Sequence, residues 1–162
     1  MCRKNFNLIG AGVGLPKWDI PGLRKAYNIF AKAAADPRFN TSATLLENYG
    51  IYGVQKVDPK STALSAEERK LPILTSAVLW YKETDAKTHE DARNYVDSIR
   101  DALYQGVDAS RQQKRHAYVN YAKGDESVQE TYGYEQWRVE KLRALKKAYD
   151  PGNAFGYYVP LV

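Results

Sequence analysis

The residues whose types and spacing could take part in chemistry are concentrated in residues 114–121. In an extended strand, successive side chains point to opposite faces, so His116, Tyr118 and Asn120 would share one face. That face would carry an imidazole, a phenol and an amide in a row. The opposite face would carry the packing side chains, which are Ala117, Val119 and Tyr121. This division fits either a polar strand face exposed to solvent or a strand that lines a ligand cavity.

Two other patterns that often indicate chemistry are weak here. Cys2 is the only cysteine, so no internal disulfide can form and a cysteine nucleophile is not expected. The run LIGAGVG at residues 8–14 begins like a dinucleotide-binding fingerprint, but Leu15 stands where the third glycine should fall, and Pro16 follows where a helix should open. We therefore predict an N-terminal loop or remnant over residues 1–20, and we expect no metal site.

The elements that must position these residues follow from apolar spacing. It predicts three helices, at residues 21–36, 88–105 and 134–149. Gly106 would cap the second helix. Strands are predicted at residues 44–57, 73–81 and 114–121. The run at 73–81 is almost continuously apolar, which is typical of a central strand covered on both faces. This order predicts an α+β fold, an antiparallel sheet with helices packed on one face.

Composition and charge exclude several classes of protein. The chain has 162 residues, 44% of them hydrophobic, which suits one globular domain. Its formal net charge of +5 is modest, and the basic run at 138–147 alternates with apolar residues like a solvated helix face, so we do not expect nucleic-acid binding. No apolar run is long enough to span a membrane, and no signal peptide is visible, which leaves the localisation unassigned.

Four motifs in the C-terminal third occur in an order that resembles a known family. They are Tyr118-Val-Asn-Tyr121, Tyr132-Gly-Tyr-Glu-Gln-Trp137, Leu142-Arg-Ala-Leu-Lys146 and Tyr149-Asp-Pro-Gly-Asn-Ala-Phe155. Residues 114–158 resemble the C-terminal end of fungal FAD-linked oxidoreductases, in the berberine-bridge-enzyme-like branch of the vanillyl-alcohol-oxidase superfamily. The resemblance implies a partial substrate domain over residues 21–112 and a berberine-bridge-like segment over 113–162, without the N-terminal FAD-binding domain.

The resemblance also implies a function and a set of site residues. The implied reaction removes hydride from a small organic substrate and passes the electrons to oxygen through FAD. Asn120 and Tyr121 would contact the flavin, and Tyr118 would face the substrate as an acid/base or orienting residue. The position of the family's proton acceptor falls on Thr75 or Ser76. These two residues and His116 are expected to line the substrate cavity.

In this family the FAD-binding domain precedes these segments. We therefore expect weak or absent FAD binding by the isolated chain, and a partner that is either that domain or a second polypeptide. The alternative hypothesis is a redox-inactive binding module, or a non-redox cyclising enzyme, on the same fold.

Overall fold

One small antiparallel sheet organises the fold. The computed structural model describes residues 5–82, 84–110 and 113–161. The three strands are β1 (Asn7–Leu15), β2 (Ala43–Asn48) and β3 (Ile73–Tyr81). β3 lies between the other two strands and pairs antiparallel with both. The α+β class and the central strand at 73–81 are confirmed.

Five helices accompany the sheet: α1 (Ile20–Ala35), α2 (Tyr52–Gln55), α3 (Ala86–Ser110), α4 (Val128–Tyr132) and α5 (Gln136–Tyr149). The three predicted helices are thus confirmed as α1, α3 and α5. The predicted cap at Gly106 is wrong, because α3 continues through it. A Cβ at Gly106 would lie 2.7 Å from the Cβ of Asp19, the residue that caps α1, so glycine here permits close contact between the two helices.

The core lies between α3, α1 and one face of the sheet. β1 contributes alternate side chains to this face, and β3 contributes the residues paired with them. The buried core side chains include Ala11, Val13, Leu15, Ile73, Ala77, Leu79, Val96, Ile99 and Leu103. α1 packs on α3 and extends this layer towards β2. No helix in the described part of the chain is long and apolar enough to cross a bilayer.

The prediction of a loop over residues 1–20 is wrong, because the glycine-rich run is strand β1. Its glycines recur with the strand period of two and all lie on the face opposite α3. A Cβ at Gly12 would stand 2.5 Å from the Cβ of Tyr121, and one at Gly14 would stand 3.2 Å from the carbonyl oxygen of His116. The glycines therefore let the C-terminal segment approach the sheet backbone.

The predicted strand at 114–121 is also wrong. Tyr118 has an extended backbone, but Val119–Tyr121 form a 3-10 turn. The segment crosses β1 with a backbone hydrogen bond from Gly14 N to the His116 carbonyl at 2.8 Å. The expected alternation fails, since both His116 and Ala117 are buried.

The predicted strand at 44–57 is shorter than expected. Residues 43–48 form β2, and the chain then turns into α2.

Candidate functional site

The sheet face opposite α3 forms one wall of a cavity of about 750 Å³, which we call the Tyr121 cavity. Small residues of the three strands, Gly10, Ala43 and Ser76, contribute to this wall, and residues 120–123 with Tyr158 contribute the facing side. Small-molecule sites typically measure about 300–1,000 Å³ and are mostly apolar with a few polar groups. The size and lining of this cavity match that description.

Asn120 lines this cavity and is hydrogen-bonded to Tyr118, which is not one of its lining residues. The Asn120 amide nitrogen Nδ2 donates to the Tyr118 hydroxyl oxygen at 2.9 Å. The 3-10 turn places the two side chains together in place of a strand. Because the phenol oxygen accepts from the amide, its own hydrogen can be donated to a bound molecule.

Glu47, on β2, is a site residue that the sequence analysis missed. Its Oε2 accepts from the Tyr121 hydroxyl at 3.1 Å, and its Oε1 accepts from the Tyr49 hydroxyl at 2.8 Å. The hydrogen bond to Glu47 raises the pKa of Tyr49, while burial and then the same carboxylate raise the pKa of Tyr121. A usable signal existed, because Glu47 is the single carboxylate in the strand predicted at 44–57.

The structure separates the two candidates on β3. Ser76 is buried and lines the Tyr121 cavity. Thr75 points to the α3 face, is fully buried, and donates its hydroxyl to the Leu45 carbonyl at 2.6 Å. The expectation that Thr75 lines the cavity is wrong, because neighbouring residues of a strand point to opposite faces.

His116 does not join Tyr118 and Asn120 on a common face, which corrects the predicted grouping. Its carbonyl accepts from the Tyr104 hydroxyl at 2.5 Å, and its ring contacts the Tyr134 ring edge-on, with centroids 5.4 Å apart. Burial lowers the pKa of His116, so the imidazole is neutral at pH 7. The ring borders a different cavity.

The last residues of the chain hold the turn beside the cavity. The Tyr158 hydroxyl lies 2.9 Å from the Val119 carbonyl oxygen and 2.8 Å from that of Ala122, so one donor bridges both ends of the 3-10 turn. The Tyr132 hydroxyl donates to the Val159 carbonyl at 2.9 Å. The turn that carries Asn120 is therefore fixed by the tail as well as by β1.

Arg138, at the start of α5, corrects the expectation of a wholly solvated basic face. It is 2% exposed, and its guanidinium donates to the carbonyls of Pro59 and Thr62 at 2.9 and 2.8 Å. Another bond reaches the Ala63 carbonyl at 3.3 Å. The side chain thus fixes the 59–63 loop against α5, and nothing in the local sequence distinguishes it from the exposed arginines.

A flavin is compatible with the residues that line the Tyr121 cavity. Gly10, Ala43 and Ser76 leave space on this sheet face, and a planar ring placed there could pack against the larger apolar side chains beside them, which are Leu45, Val78 and Trp80. The Asn120 amide and the Ser76 hydroxyl could hydrogen-bond the polar edge of such a ring. In the described residues no group of three or more His, Cys, Asp or Glu side chains could hold a metal ion.

Comparison with known proteins assigns the segment that closes this cavity. Residues 117–158 match the family "Berberine and berberine like". FAD-linked oxidoreductase chry5 of Gibberella zeae is 37% identical over 139 residues, which cover 85% of this chain and 26% of that protein. The chain is similar to part of the FAD-linked oxidoreductases, and its residues 117–158 carry the berberine-like segment. FAD-linked oxidoreductase anuG of Penicillium roqueforti is 33% identical over 162 residues, which cover 99% of this chain and 31% of that protein.

Solved structures show the same fold. A xylooligosaccharide oxidase from Myceliophthora thermophila superimposes with a TM-score of 0.68 at 19% identity, covering 96% of this chain and 32% of the other. The flavoenzyme CrmK of caerulomycin biosynthesis gives 0.67 at 20% identity, covering 93% and 31%. The family resemblance and its link to FAD are confirmed. The chain spans only 26% of the length of chry5 and 31% of the length of anuG.

Proposed function

We propose that this chain supplies the substrate-side wall of the flavin site in an FAD-linked oxidoreductase. The reaction removes hydride from a small organic substrate and passes the electrons to oxygen. The observation that carries the proposal is the Tyr121 cavity, which is closed by the same residues, 120–123 and Tyr158, that lie in or beside the berberine-like segment. FAD, when bound, would supply the hydride acceptor, while the protein orients the substrate.

The site residues then take separate roles. Tyr118 orients the substrate or exchanges a proton with it, because its hydroxyl hydrogen is not used by Asn120. Asn120 holds that phenol and reaches the flavin. Tyr121, tied to Glu47, fixes the turn that carries both residues. Ser76 contributes a hydroxyl to the cavity wall, and a serine hydroxyl is a poor base near neutral pH.

The proposal includes an FAD-binding domain, on the same polypeptide or on a separate one. Exposed aromatic side chains at the C-terminal end, Phe155 at 83% and Tyr157 at 98%, are available for such a contact. Large exposed aromatic side chains close together commonly mark protein interfaces. Both lie just before Tyr158, which lines the Tyr121 cavity, and this position suits a surface shared with a flavin-holding partner.

Flavin retention tests the proposal directly. The chain is co-expressed with the FAD-binding domain of Gibberella zeae chry5, and the flavin absorbance that survives desalting is measured. Asn120→Ala is expected to lower flavin retention, because a polar contact to the ring is lost. Asn28→Ala, an exposed position on α1, is the matched control. Equal retention in the two variants would remove the assigned role of Asn120.

Turnover separates oxidation from the alternative chemistry. Tyr118→Phe is expected to retain flavin and to reduce oxygen consumption by about a hundredfold, the usual scale of a lost general acid or base. Oxygen uptake and peroxide formation are followed together. Product formation without either would favour the non-redox cyclising enzyme, and a folded complex that takes up no flavin would favour the binding module.

A further inference from the structure

The lining of the Tyr121 cavity carries two cationic side chains, Lys123 and Arg93. Among residues 5–82, 84–110 and 113–161, no aspartate or glutamate lines the same cavity. Much of the remaining lining is apolar, and it includes Leu8 and Ile9 on β1. The cavity therefore combines an apolar wall with positive charge, and the roles proposed for Tyr118, Asn120 and Tyr121 leave that charge unused.

The ammonium group of Lys123 is already neutralised within the chain. It forms ion pairs with Asp97 and with Asp125, the latter at 2.5 Å, and the Lys123 side chain is only 4% exposed. Asp97 also pairs with Arg100 at 3.0 Å. Lys123 thus fixes the 123–125 loop to α3 and has no unpaired charge to offer a ligand.

Arg93 differs because its guanidinium is exposed and unpaired. Within the part of the chain that the structure describes, it makes no hydrogen bond and no ion pair. Asp97, one turn further along α3, is already used by Lys123 and Arg100. Because side chains four positions apart share a helix face, Arg93 faces the same side as Asp97, towards the segment that closes the cavity.

The position of Arg93 separates it from the tyrosines of the site. Burial raises the pKa of Tyr81, and the positive charge of Arg93 opposes that rise, which places the guanidinium near the Tyr81 end of β3. Glu47, which accepts from the Tyr121 hydroxyl, is paired in the sheet with Leu74, near the other end of β3. An anion bound by Arg93 would therefore lie away from the Tyr121 hydroxyl and would serve for recognition.

An unpaired guanidinium beside an apolar wall suits a ligand with a carboxylate on a carbon skeleton. Arginine binds a carboxylate through two parallel N–H···O bonds, which fixes the orientation of the bound group as well as its charge. The apolar side chains nearest in the lining, Leu8 and Ile9, are available to pack against the skeleton.

We propose that Arg93 determines substrate specificity by binding a carboxylate, so that the substrates of the proposed oxidation are small aromatic or alicyclic carboxylic acids. The word substrate rests on the proposed function. The preference of the cavity for a carboxylate does not, because it can be measured on the chain without flavin.

Fluorine NMR of two probes tests this preference. The probes are para-fluorobenzoate and para-fluorobenzamide, which share a ring and differ in charge. The benzoate should bind the purified chain about threefold more tightly than the benzamide, the scale expected of one exposed ion pair. Arg93→Gln should bind both probes equally. Arg93→Lys should recover part of the preference, because it keeps the charge and loses the paired geometry.

Arg24→Gln is the matched control, because Arg24 is also exposed but lies on α1, outside the lining of this cavity. It should keep the preference of the parent. Circular dichroism of all variants should match the parent, since Arg93 has no partner to lose. Equal binding of the two probes to the parent, an unchanged preference in Arg93→Gln, or the same loss in Arg24→Gln would each overturn the proposal.

The complex with the FAD-binding domain of chry5 gives a separate measurement. Arg93→Gln should retain flavin like the parent, whereas a loss of flavin would assign the guanidinium to a flavin phosphate and overturn the proposal. A parent complex that takes up no flavin would count against the proposed function, while a benzoate preference that depends on Arg93 would still assign the carboxylate site.

Discussion

The Tyr121 hydroxyl donates to Glu47 Oε2 at 3.1 Å, although the two residues are 74 positions apart in the chain. The bond joins the turn after Tyr118 to the edge strand β2. Glu47 is held in turn by Tyr49, so its carboxylate is already oriented towards Tyr121. The turn beside the Tyr121 cavity is therefore attached at its β2 side by one hydrogen bond from a side chain.

Removing this bond should loosen the turn measurably. Tyr121→Phe is expected to lower the free energy of unfolding by about 1 kcal/mol, the usual net worth of a hydrogen bond. In a double-mutant cycle with Glu47→Ala, measured by urea denaturation, most of that amount should appear as coupling. Tyr49→Phe is the comparison, since it removes a bond to Glu47 but leaves Tyr121 intact. Additive effects of Tyr121→Phe and Glu47→Ala would disprove the coupling.

Filling Gly12 should displace the same turn from the sheet. Its Cβ would lie 2.5 Å from the Cβ of Tyr121, too close for two carbons, so Gly12→Ala is expected to destabilise the fold by about 1–3 kcal/mol. Gly53→Ala is the control, because nothing lies within 4 Å of a Cβ there. Because alanine favours a helix more than glycine does, Gly53→Ala in α2 should instead raise the free energy of unfolding by up to about 1 kcal/mol. Urea denaturation of both variants gives the comparison, and equal midpoints would contradict the close approach.

Loss of the buried guanidinium should free the 59–63 loop. Arg138→Met leaves buried carbonyls without donors, and we expect a loss of about 3 kcal/mol in stability. Arg143→Met is the matched control, because Arg143 is exposed and, within the described part of the chain, its guanidinium donates only to the Leu161 carbonyl, at 3.2 Å. In limited proteolysis, the 59–63 loop should be cut faster in Arg138→Met than in the parent protein or in Arg143→Met. Unchanged cleavage would mean that the loop is held by other contacts.

Glu68 should make stability depend on pH. Burial raises the pKa of its carboxyl to about 7, against the opposing effect of Arg138 and Arg69. The folded state therefore holds the proton more tightly than the unfolded chain, so this group's contribution is complete below its ordinary pKa of 4.5 and is lost as the pH rises towards 7. Glu68→Gln, which cannot lose a proton, should exceed the parent in stability at pH 8.

The advantage of Glu68→Gln should shrink at pH 5, where the parent carboxyl is largely protonated. His116 has the opposite effect on stability. Because its pKa is lowered in the folded state, the contribution of His116 to stability falls as the pH is lowered. Comparing the two proteins at each pH removes that shared effect. Glu90→Gln, at an exposed position, is the matched control for the loss of a carboxylate. A constant difference between Glu68→Gln and the parent would contradict the raised pKa.

The regular elements could be predicted because their apolar spacing is local. The helices around Phe30, Ile99 and Leu142, and the central strand ending at Tyr81, all follow from it. Strand β1 was missed because three glycines lower strand propensity, while their purpose, the approach of Tyr121, lies more than a hundred residues away. The spacing of residues within one segment cannot predict a contact with a segment so distant in the chain.

The site was predictable only in part for the same reason. The pair Tyr118 and Asn120 was singled out by residue type and by resemblance, and the two side chains do meet. The assumed strand geometry then misplaced His116, because a 3-10 turn changes which side chains share a face. Glu47 was overlooked because its partner Tyr121 comes from a distant part of the chain. The roles of Tyr118, Asn120 and Tyr121 remain predictions.

The hydroxyl of Tyr158 connects this residue to the turn at 119–122, part of which lines the Tyr121 cavity. Without that hydroxyl, the Val119 and Ala122 carbonyls would lose the donor that they share, and the 3-10 turn between them would be held less firmly. A phenylalanine at position 158 would therefore be expected to loosen the side of the Tyr121 cavity that residues 120–123 form.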